Sequence, residues 1–285
     1  MAPTKPVLSW HSDVSQFIEA SSEEIVNYCA QPSVSAVASC QNIRRLSETL
    51  VVKFGFEVTE SEYKNQLFVY DMLANKKIKV ARPYRFFRAF DSYGFSNGYL
   101  VIEYVRGQRL DVDGLCNDES TIQAIAAAIQ CFHATSASRL TQQTSPGPLF
   151  GSVHRGFPWG DGLADGIFDT IEDLERCVYR GHTARSVATT GLSDRQMVLC
   201  HLDLAPRNLL LTVDGTIAVL DWASMAWFPA AFELASLEYL QAVATAAEAP
   251  FFRGVKAYLR KLSPPMEADI SLLGVVHANS IRYTF

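Results

Sequence analysis

The sequence is most informative at first for what it lacks. Its six cysteines, Cys29, Cys40, Cys116, Cys131, Cys177 and Cys200, form no CxxC or CxxH pair, so neither a zinc site nor a dithiol redox motif is expected. Dispersed, buried free thiols are the plainer reading. There is no Lys/Arg-rich run, and the formal net charge is -5, which leaves no electrostatic footprint for a nucleic-acid partner or an anionic membrane face. No segment offers about 18 consecutive apolar residues, the length a membrane helix needs. The opening MAPTKPVLSWHSDVSQF has no apolar stretch long enough for a signal peptide, so a cytoplasmic protein is expected. Repeats and low-complexity tracts are absent as well.

What is present fits a globular protein of enzyme size. The chain has 285 residues, 48% hydrophobic and 19% charged, enough to bury a core in one large domain or in two lobes. After a helix-like SSEEIVNYCA, residues 33–56 alternate short apolar runs with polar breaks, as strands joined by turns do. TESEYKNQLFVYDML follows a helical period, and VARPYRFF and GYLVIEYVRG read as two more strands, the last ending at Gly107. Beyond it, STIQAIAAAIQCFHAT is an apolar helix pattern with Ser120 as the expected N-cap. Another helical stretch follows around Phe168 to Tyr179, and residues 232–285 are mostly helical. Strands first and helices second favour an α+β fold, with lobes spanning 1–106 and 107–285. Nothing in the pattern fixes an oligomeric state.

The chemistry concentrates in CHLDLAPRNLLLTVDGTIAVLDWA, residues 200–223. LLLTV and TIAVL flank Asp214–Gly215, a dipeptide suited to a hairpin turn. An antiparallel pairing there brings Asp203 and Asn208, on the loop before the first strand, to the same end as Asp221, just past the second. Two carboxylates and an amide oxygen suit magnesium, and one carboxylate is left to accept a proton from a substrate hydroxyl. Taken singly, each of these residues also reads as an ordinary turn or loop residue. It is the combined spacing that points to phosphoryl transfer.

HLDLAPRN followed by VLDWA resembles the catalytic loop and metal-binding segment of the aminoglycoside-phosphotransferase and choline-kinase superfamily, in its fungal-type form. The resemblance implies a two-lobed protein-kinase-like fold, with a small N-terminal antiparallel-sheet lobe and a larger, mainly helical C-terminal lobe. It implies ATP and Mg2+ as cofactors, Asp203 as catalytic base supported by His201, and Asn208 and Asp221 as metal ligands. In the first lobe it makes Lys53 of LVVKFG the lysine for the nucleotide phosphates, with Glu62 holding it. Glu60 competes for that role, and a lysine snorkelling from a strand edge is the bland alternative. Residues 102–105 match the linker that meets adenine, so Glu103, Tyr104 and Val105 are cofactor-binding candidates. His133 reads as a core histidine, and Glu233 stands where relatives usually carry a structural Asp.

The pattern departs in two places. SVSAVASCQNIRRLSET, where kinase-like folds often carry a Gly-rich phosphate loop, has no glycine, leaving Ser33, Ser35 and Ser39 as candidate donors. Ala223 replaces the Glu of a D-W-E found in many fungal-type relatives. These departures keep two alternatives in view: a kinase-fold binding protein without phosphoryl transfer, and a cleft using Asp203 or His201 for other acid/base chemistry. For the acceptor, carboxylates after Met225 are few, too few for a polycation such as an aminoglycoside. Trp159, Trp222, Trp227, Phe228, Phe232, Tyr239, Phe251 and Phe252 favour an apolar or aromatic small molecule with a hydroxyl group, such as a secondary metabolite. Aromatics also fill cores, and a choline-like cation in an aromatic cage fits the same rings.

Overall fold

The structure, a computed structural model, describes residues 20–31, 42–90, 94–111, 115–139, 145–151, 156–159, 168–180, 192, 195–262 and 266–282. The chain forms two compact units: residues 1–70 with 81–106, and residues 71–80 with 107–285. The expectation that residues 1–106 stay together is corrected at 71–80. That segment ends in a strand whose partner lies far down the chain.

The first unit is built on an antiparallel sheet ordered β1-β2-β5-β4, from β1 (Ile43–Arg45), β2 (Leu50–Gly55), β4 (Pro83–Phe90) and β5 (Ser96–Glu103). Central strand β5 is buried from Gly98 to Val101, as an inner strand covered on both faces must be. Helix α1 (Ser22–Cys29) starts at a capping box, with Ser21 and Glu24 satisfying each other's amides. It lays Ile25, Tyr28 and Cys29 on Leu50, Val52, Tyr99 and Val101. Phe54 and Phe87 both stack on Tyr99, at 5.8 and 5.0 Å between ring centres. Helix α2 (Glu60–Met72) follows β2, its Glu62 amide donating to the Thr59 hydroxyl at 3.2 Å.

The second unit carries two small sheets and most of the helices. One sheet is ordered β3-β10-β9-β6, from β3 (Lys79–Val80), β6 (Gly107–Arg109), β9 (Leu209–Thr212) and β10 (Ile217–Val219). β3 pairs with β10 in parallel, Lys79 opposite Ala218, which draws residues 71–80 into this unit. The other is β7-β11-β8, from β7 (Gly147–Pro148), β8 (Met197–Cys200) and β11 (Ala226–Pro229). Its α-helices among the described residues are α3 (Glu119–Ala137), α4 (Ile171–Arg180), α5 (Ala231–Val243), α6 (Ala249–Leu262) and α7 (Glu267–Arg282).

Asp118, not Ser120, caps α3: its carboxylate accepts the Thr121 amide at 2.8 Å. Ser120 lies one residue inside the helix and donates its hydroxyl to that same carboxylate. α3 and α6 meet at Gly254, where a Cβ would stand 2.9 Å from Ile122 carbons, so a larger residue would have to push the Ile122 side chain aside. Among the described residues no helix is long and apolar enough to cross a membrane. Of the cysteines, the five described form no disulfide, and Cys29, Cys116 and Cys200 are buried; Cys40 lies outside the described residues.

Candidate functional site

In the first unit, Lys53 sits mid-strand on β2 and points its ammonium at Glu62 on α2, Nζ to Oε1 2.7 Å. Glu62 is 2% exposed and Lys53 24%, so the carboxylate is buried by the helix while the ammonium keeps one open side. Burying a carboxylate costs several kcal/mol unless it is paired, and Lys53 is a cation that meets Glu62. Glu60 is elsewhere, in an exposed pair with Lys64 at 2.9 Å. At the end of β5 the Glu103 amide donates to the Arg82 carbonyl at 2.8 Å, and the Tyr104 amide to the Thr49 carbonyl at 2.7 Å. The Arg45 guanidinium covers the Tyr104 ring at 4.2 Å. Ile102 and Glu103 are still strand, so the non-strand link is Tyr104, Val105 and Arg106. Ser33, Ser35 and Ser39 lie outside the described residues.

In the second unit, β9 and β10 pair antiparallel, Leu209 opposite Val219 and Leu211 opposite Ile217. The reversal is a three-residue loop, Val213 to Gly215, closed by the Thr212–Thr216 backbone bond at 3.0 Å. Gly215 takes φ +79°, the left-handed position such a loop requires. At the other end of the hairpin the expected residues gather. Asn208 Nδ2 donates both to the Asp203 carbonyl and to Asp203 Oδ2, each at 2.8 Å. Both amide hydrogens are thereby spent, and Oδ1 is the atom that Asn208 has left to offer. Arg207 donates to Asp203 Oδ1 at 2.5 Å from a half-exposed position.

Asp221 is set by its neighbour. The Leu220 amide donates to the Asn208 carbonyl at 2.9 Å, and the Leu220 carbonyl accepts from His201 Nε2 at 3.0 Å. Leu220 thus ties both sides of the loop to the residue before Asp221, which turns with φ +62°. The Trp222 indole closes the turn by donating to the Val219 carbonyl at 3.2 Å. Ala223, next in line, is exposed.

His201 is fully buried, and its ring nitrogens are both committed to backbone. A carbonyl only accepts, so Nε2 carries the hydrogen; Nδ1 then accepts the Asp203 amide at 3.3 Å. Both ring nitrogens of His201, expected among the catalytic residues as a support of Asp203, are thus engaged with the backbone of Leu220 and Asp203. Trp222 packs edge-on against it at 4.8 Å.

The residue with the largest hold on the loop is Glu233. It is fully buried on α5, and its carboxylate accepts the His201 amide at 2.6 Å and the Leu202 amide at 2.9 Å. His133 Nε2 donates to the same carboxylate at 3.4 Å. Burial alone would raise the Glu233 pKa, but the hydrogen bonds from His133 and the His201 amide outweigh it and hold the group below the usual carboxylate range. The two amides flank a backbone turned left-handed at Leu202, φ +67°, which a branched side chain adopts only when its surroundings hold it there. Ser236, on the same helix, donates to the Leu202 carbonyl at 3.0 Å. Sequence reasoning gave Glu233 a structural position; its amide partners lie about 30 residues away and leave no local signal.

His133, Cys200 and Glu233 approach one another closely enough to suggest a metal site, their ligand atoms all within 4.8 Å. The partners argue otherwise. Glu233 is spent on two amides, and burial pushes the Cys200 thiol well up while its Sγ faces the Phe228 and Pro229 carbonyls.

A family model described as the phosphotransferase enzyme family (APH) matches residues 34–265. The chain belongs to that family. Solved structures add the fold. A thermostable mutant of aminoglycoside phosphotransferase APH(4)-Ia, in a ternary complex with ADP and hygromycin B, is similar at 14% identity and TM-score 0.58, over 90% of this chain and 88% of that one. Another thermostable mutant of the same enzyme, with AMP-PNP and hygromycin B, is similar at 15% identity and TM-score 0.57, over 91% and 89%. No curated protein matches the sequence. The phosphotransferase therefore has an α+β, kinase-like architecture, with a sheet-based first unit and a mainly helical second.

One expectation about the acceptor fails on burial. Trp159, Trp222, Trp227, Phe228, Phe232, Phe251 and Phe252 are all buried, at 8% exposure or less. They are core, with Trp159 packed among Phe168, Phe228 and Phe232. Only Tyr239 of that set is partly exposed. The aromatic count therefore does not describe an acceptor wall.

Proposed function

We propose that this phosphotransferase moves the γ-phosphoryl group of ATP to a hydroxyl of a small molecule, with Asp203 as the base. The observation that carries the reading is the Asp203–Asn208 lock, with the Asn208 carbonyl tied to the amide of Leu220, the residue before Asp221. A carboxylate fixed by Asn208 and by its own loop is preoriented to accept a hydroxyl proton, and positioning is most of what phosphoryl transfer asks of a protein. As the proton passes to Asp203, the hydroxyl oxygen bonds to phosphorus and the bridging bond to ADP breaks. Arg207, long and half exposed, makes the contact on Asp203 that a substrate hydroxyl can displace.

Asn208 Oδ1 and Asp221 would hold magnesium, which neutralises charge on the phosphates. Lys53, oriented by Glu62, is the ammonium available to the nucleotide phosphates, and the Val105 amide is the donor offered to the adenine, since those of Glu103 and Tyr104 are engaged. His201 holds the loop from below. Ala223 removes a carboxylate that relatives carry, but the two remaining ligands supply the hard-oxygen set.

Purified protein with ATP, magnesium and a panel of hydroxyl compounds should release ADP in an acceptor-dependent manner. Asp203→Asn should lower turnover by about 10²-fold to 10⁴-fold while leaving the thermal shift with ATP and magnesium in place. Absence of any such shift in the wild-type protein would sink the reading.

A further inference from the structure

The carboxylate proposed as the base has two oxygens, and the chain holds them in different ways. Asp203 Oδ2 accepts from Asn208 Nδ2 at 2.8 Å, and Asn208 is buried, 7% exposed. Asp203 Oδ1 accepts from Arg207 Nη2 at 2.5 Å, and the Arg207 side chain is 51% exposed. Both partners come from the single 3-10 turn Pro206–Asn208, which the Asn208 amide closes on the Ala205 carbonyl at 2.9 Å. One turn thus supplies an inner contact that is packed in place and an outer one that a solute can reach.

The outer contact is incomplete on both sides. A guanidinium carries five N–H donors in a planar fork that matches the two oxygens of a carboxylate. Asp203 does not meet that fork, because its second oxygen faces Asn208. Among the described residues Asp203 is the one hydrogen-bond and ion-pair partner of Arg207, reached through a single nitrogen. A half-exposed, single-point pair of this kind is weak. Arg109, Arg195 and Arg260, also in the second unit, pair with Asp111, Asp269 and Glu238, all outside the loop. Arg207 differs in spending its charge on the group that has to accept the proton.

A hydroxyl compound reaching Asp203 Oδ1 therefore competes with a cation for that oxygen, and a carboxylate accepts a proton less readily while a cation sits on it. The charge of the compound decides the cost. A neutral alcohol displaces the guanidinium and gives it nothing, and a cationic one adds repulsion. An acceptor with a carboxylate beside its hydroxyl offers Arg207 both oxygens of a fork, exchanging one contact for two. The guanidinium then lies between the new carboxylate and Asp203 and offsets their repulsion. Hydrogen bonds of about 2.8 Å on each group put the acceptor's carboxylate on the order of 5 Å from its hydroxyl, with about two to four carbons between them.

Resting on the function proposed above, we infer that Arg207 determines acceptor specificity at Asp203, and that the acceptor is a hydroxy acid whose carboxylate draws the guanidinium off the base. The hydroxyl proton then passes to Asp203 Oδ1 as the oxygen bonds to the γ-phosphorus and the bond to ADP breaks, which leaves a phosphorylated hydroxy acid. Cap and recognition element are one side chain, so the base is uncovered by the compound it serves.

The probes are two matched sets: 3-hydroxypropionate with 1,3-propanediol and 3-amino-1-propanol, and 3-(hydroxymethyl)benzoate with its diol and its amino alcohol. Turnover is followed by ADP release, and binding by calorimetry with AMP-PNP and magnesium. In wild-type protein the acid of at least one set should exceed its diol about tenfold in kcat/KM, with the amino alcohol lowest. Arg207→Ala should raise the KM of that acid about tenfold and lower the KM of the diol, which no longer has a cation to displace. Arg207→Lys, a charge without the fork, should fall between. Opposite movement of acid and diol is the signature, because a merely structural role would impair both. No preference for the acid in either set, a preference that survives Arg207→Ala, equal losses for acid and diol, or a raised apparent KM for ATP in the variant would each overturn the inference. If Arg207→Ala does not fold, Arg207→Lys and the wild-type ranking carry the test. Binding separates this inference from the reading it rests on. Arg207-dependent binding of the acid, in a protein without Asp203-dependent ADP release, keeps the anion subsite and removes the transfer. Asp203-dependent ADP release with the diols and amino alcohols that is indifferent to Arg207→Ala does the reverse.

Discussion

Glu62 in the first unit and Glu233 in the second are both buried carboxylates, 2% and 0% exposed, yet they hold opposite kinds of partner. Glu62 faces a side chain, the Lys53 ammonium, which keeps one open side. Glu233 faces backbone, the amides of His201 and Leu202, both in buried residues. The first carboxylate aims a charge that must meet something else; the second fixes the shape of a loop. An ion pair with an open side can rehydrate when it is broken, and a buried pair of amides cannot.

That contrast sets the order of the expected effects. Glu233→Ala should be the most damaging change, leaving two buried amides unpaired for about 3–5 kcal/mol in total, and chemical denaturation should show it as a large drop in midpoint. Glu233→Gln should recover part of that loss, because one acceptor oxygen survives. The acid side gives an independent check. The Glu233 pKa is lowered on folding, so its contribution is fully present above the unfolded value of 4.5 and is lost as pH falls through the lower folded value. The stability gap between wild type and Glu233→Gln should therefore narrow toward acid; a constant gap would mean that Glu233 is not ionised in the fold.

Glu62→Ala should cost less stability, about 1–3 kcal/mol, and act mainly on the apparent KM for ATP because Lys53 loses its aim. If it destabilised the fold as much as Glu233→Ala, the distinction between aiming and shaping would collapse. Glu60→Ala, in the exposed pair with Lys64, should change stability by less than about 0.5 kcal/mol and nucleotide affinity not at all. A loss of ATP affinity there would reassign the partner of Lys53.

The same contrast explains how much could be read in advance. The hairpin is legible because its apolar runs and its Asp-Gly turn are adjacent in the chain, and the gathering of Asp203, Asn208 and Asp221 at one end follows from pairing alone. Lys53 and Glu62 are legible because a strand and the next helix lie only nine residues apart. Asp118 and Ser120 are equally good caps by residue type, and only the backbone at 118, extended at φ -72° and ψ 128°, decides between them. What fails is what depends on distant partners. No local pattern tells that Glu233 receives amides from a loop 32 and 31 residues earlier. Nor does any pattern tell that seven of the eight aromatics are core, since a Phe in a wall and a Phe in a core look alike in sequence.

The parallel pairing of β3 with β10 has a bearing on how this protein can be taken apart. Because residues 71–80 group with 107–285, the chain passes from one unit to the other at 70/71, at 80/81 and at 106/107. Neither unit is a single stretch of sequence, so no one cut releases either of them whole. A fragment beginning at Gly107 would leave β10 with a bare outer edge where Lys79 and Val80 belong, a row of unpaired amides and carbonyls open to any passing strand. The half that carries Asp203 is therefore expected to aggregate when it is expressed alone. A fusion that joins residues 71–80 to Gly107 through a short linker should rescue it.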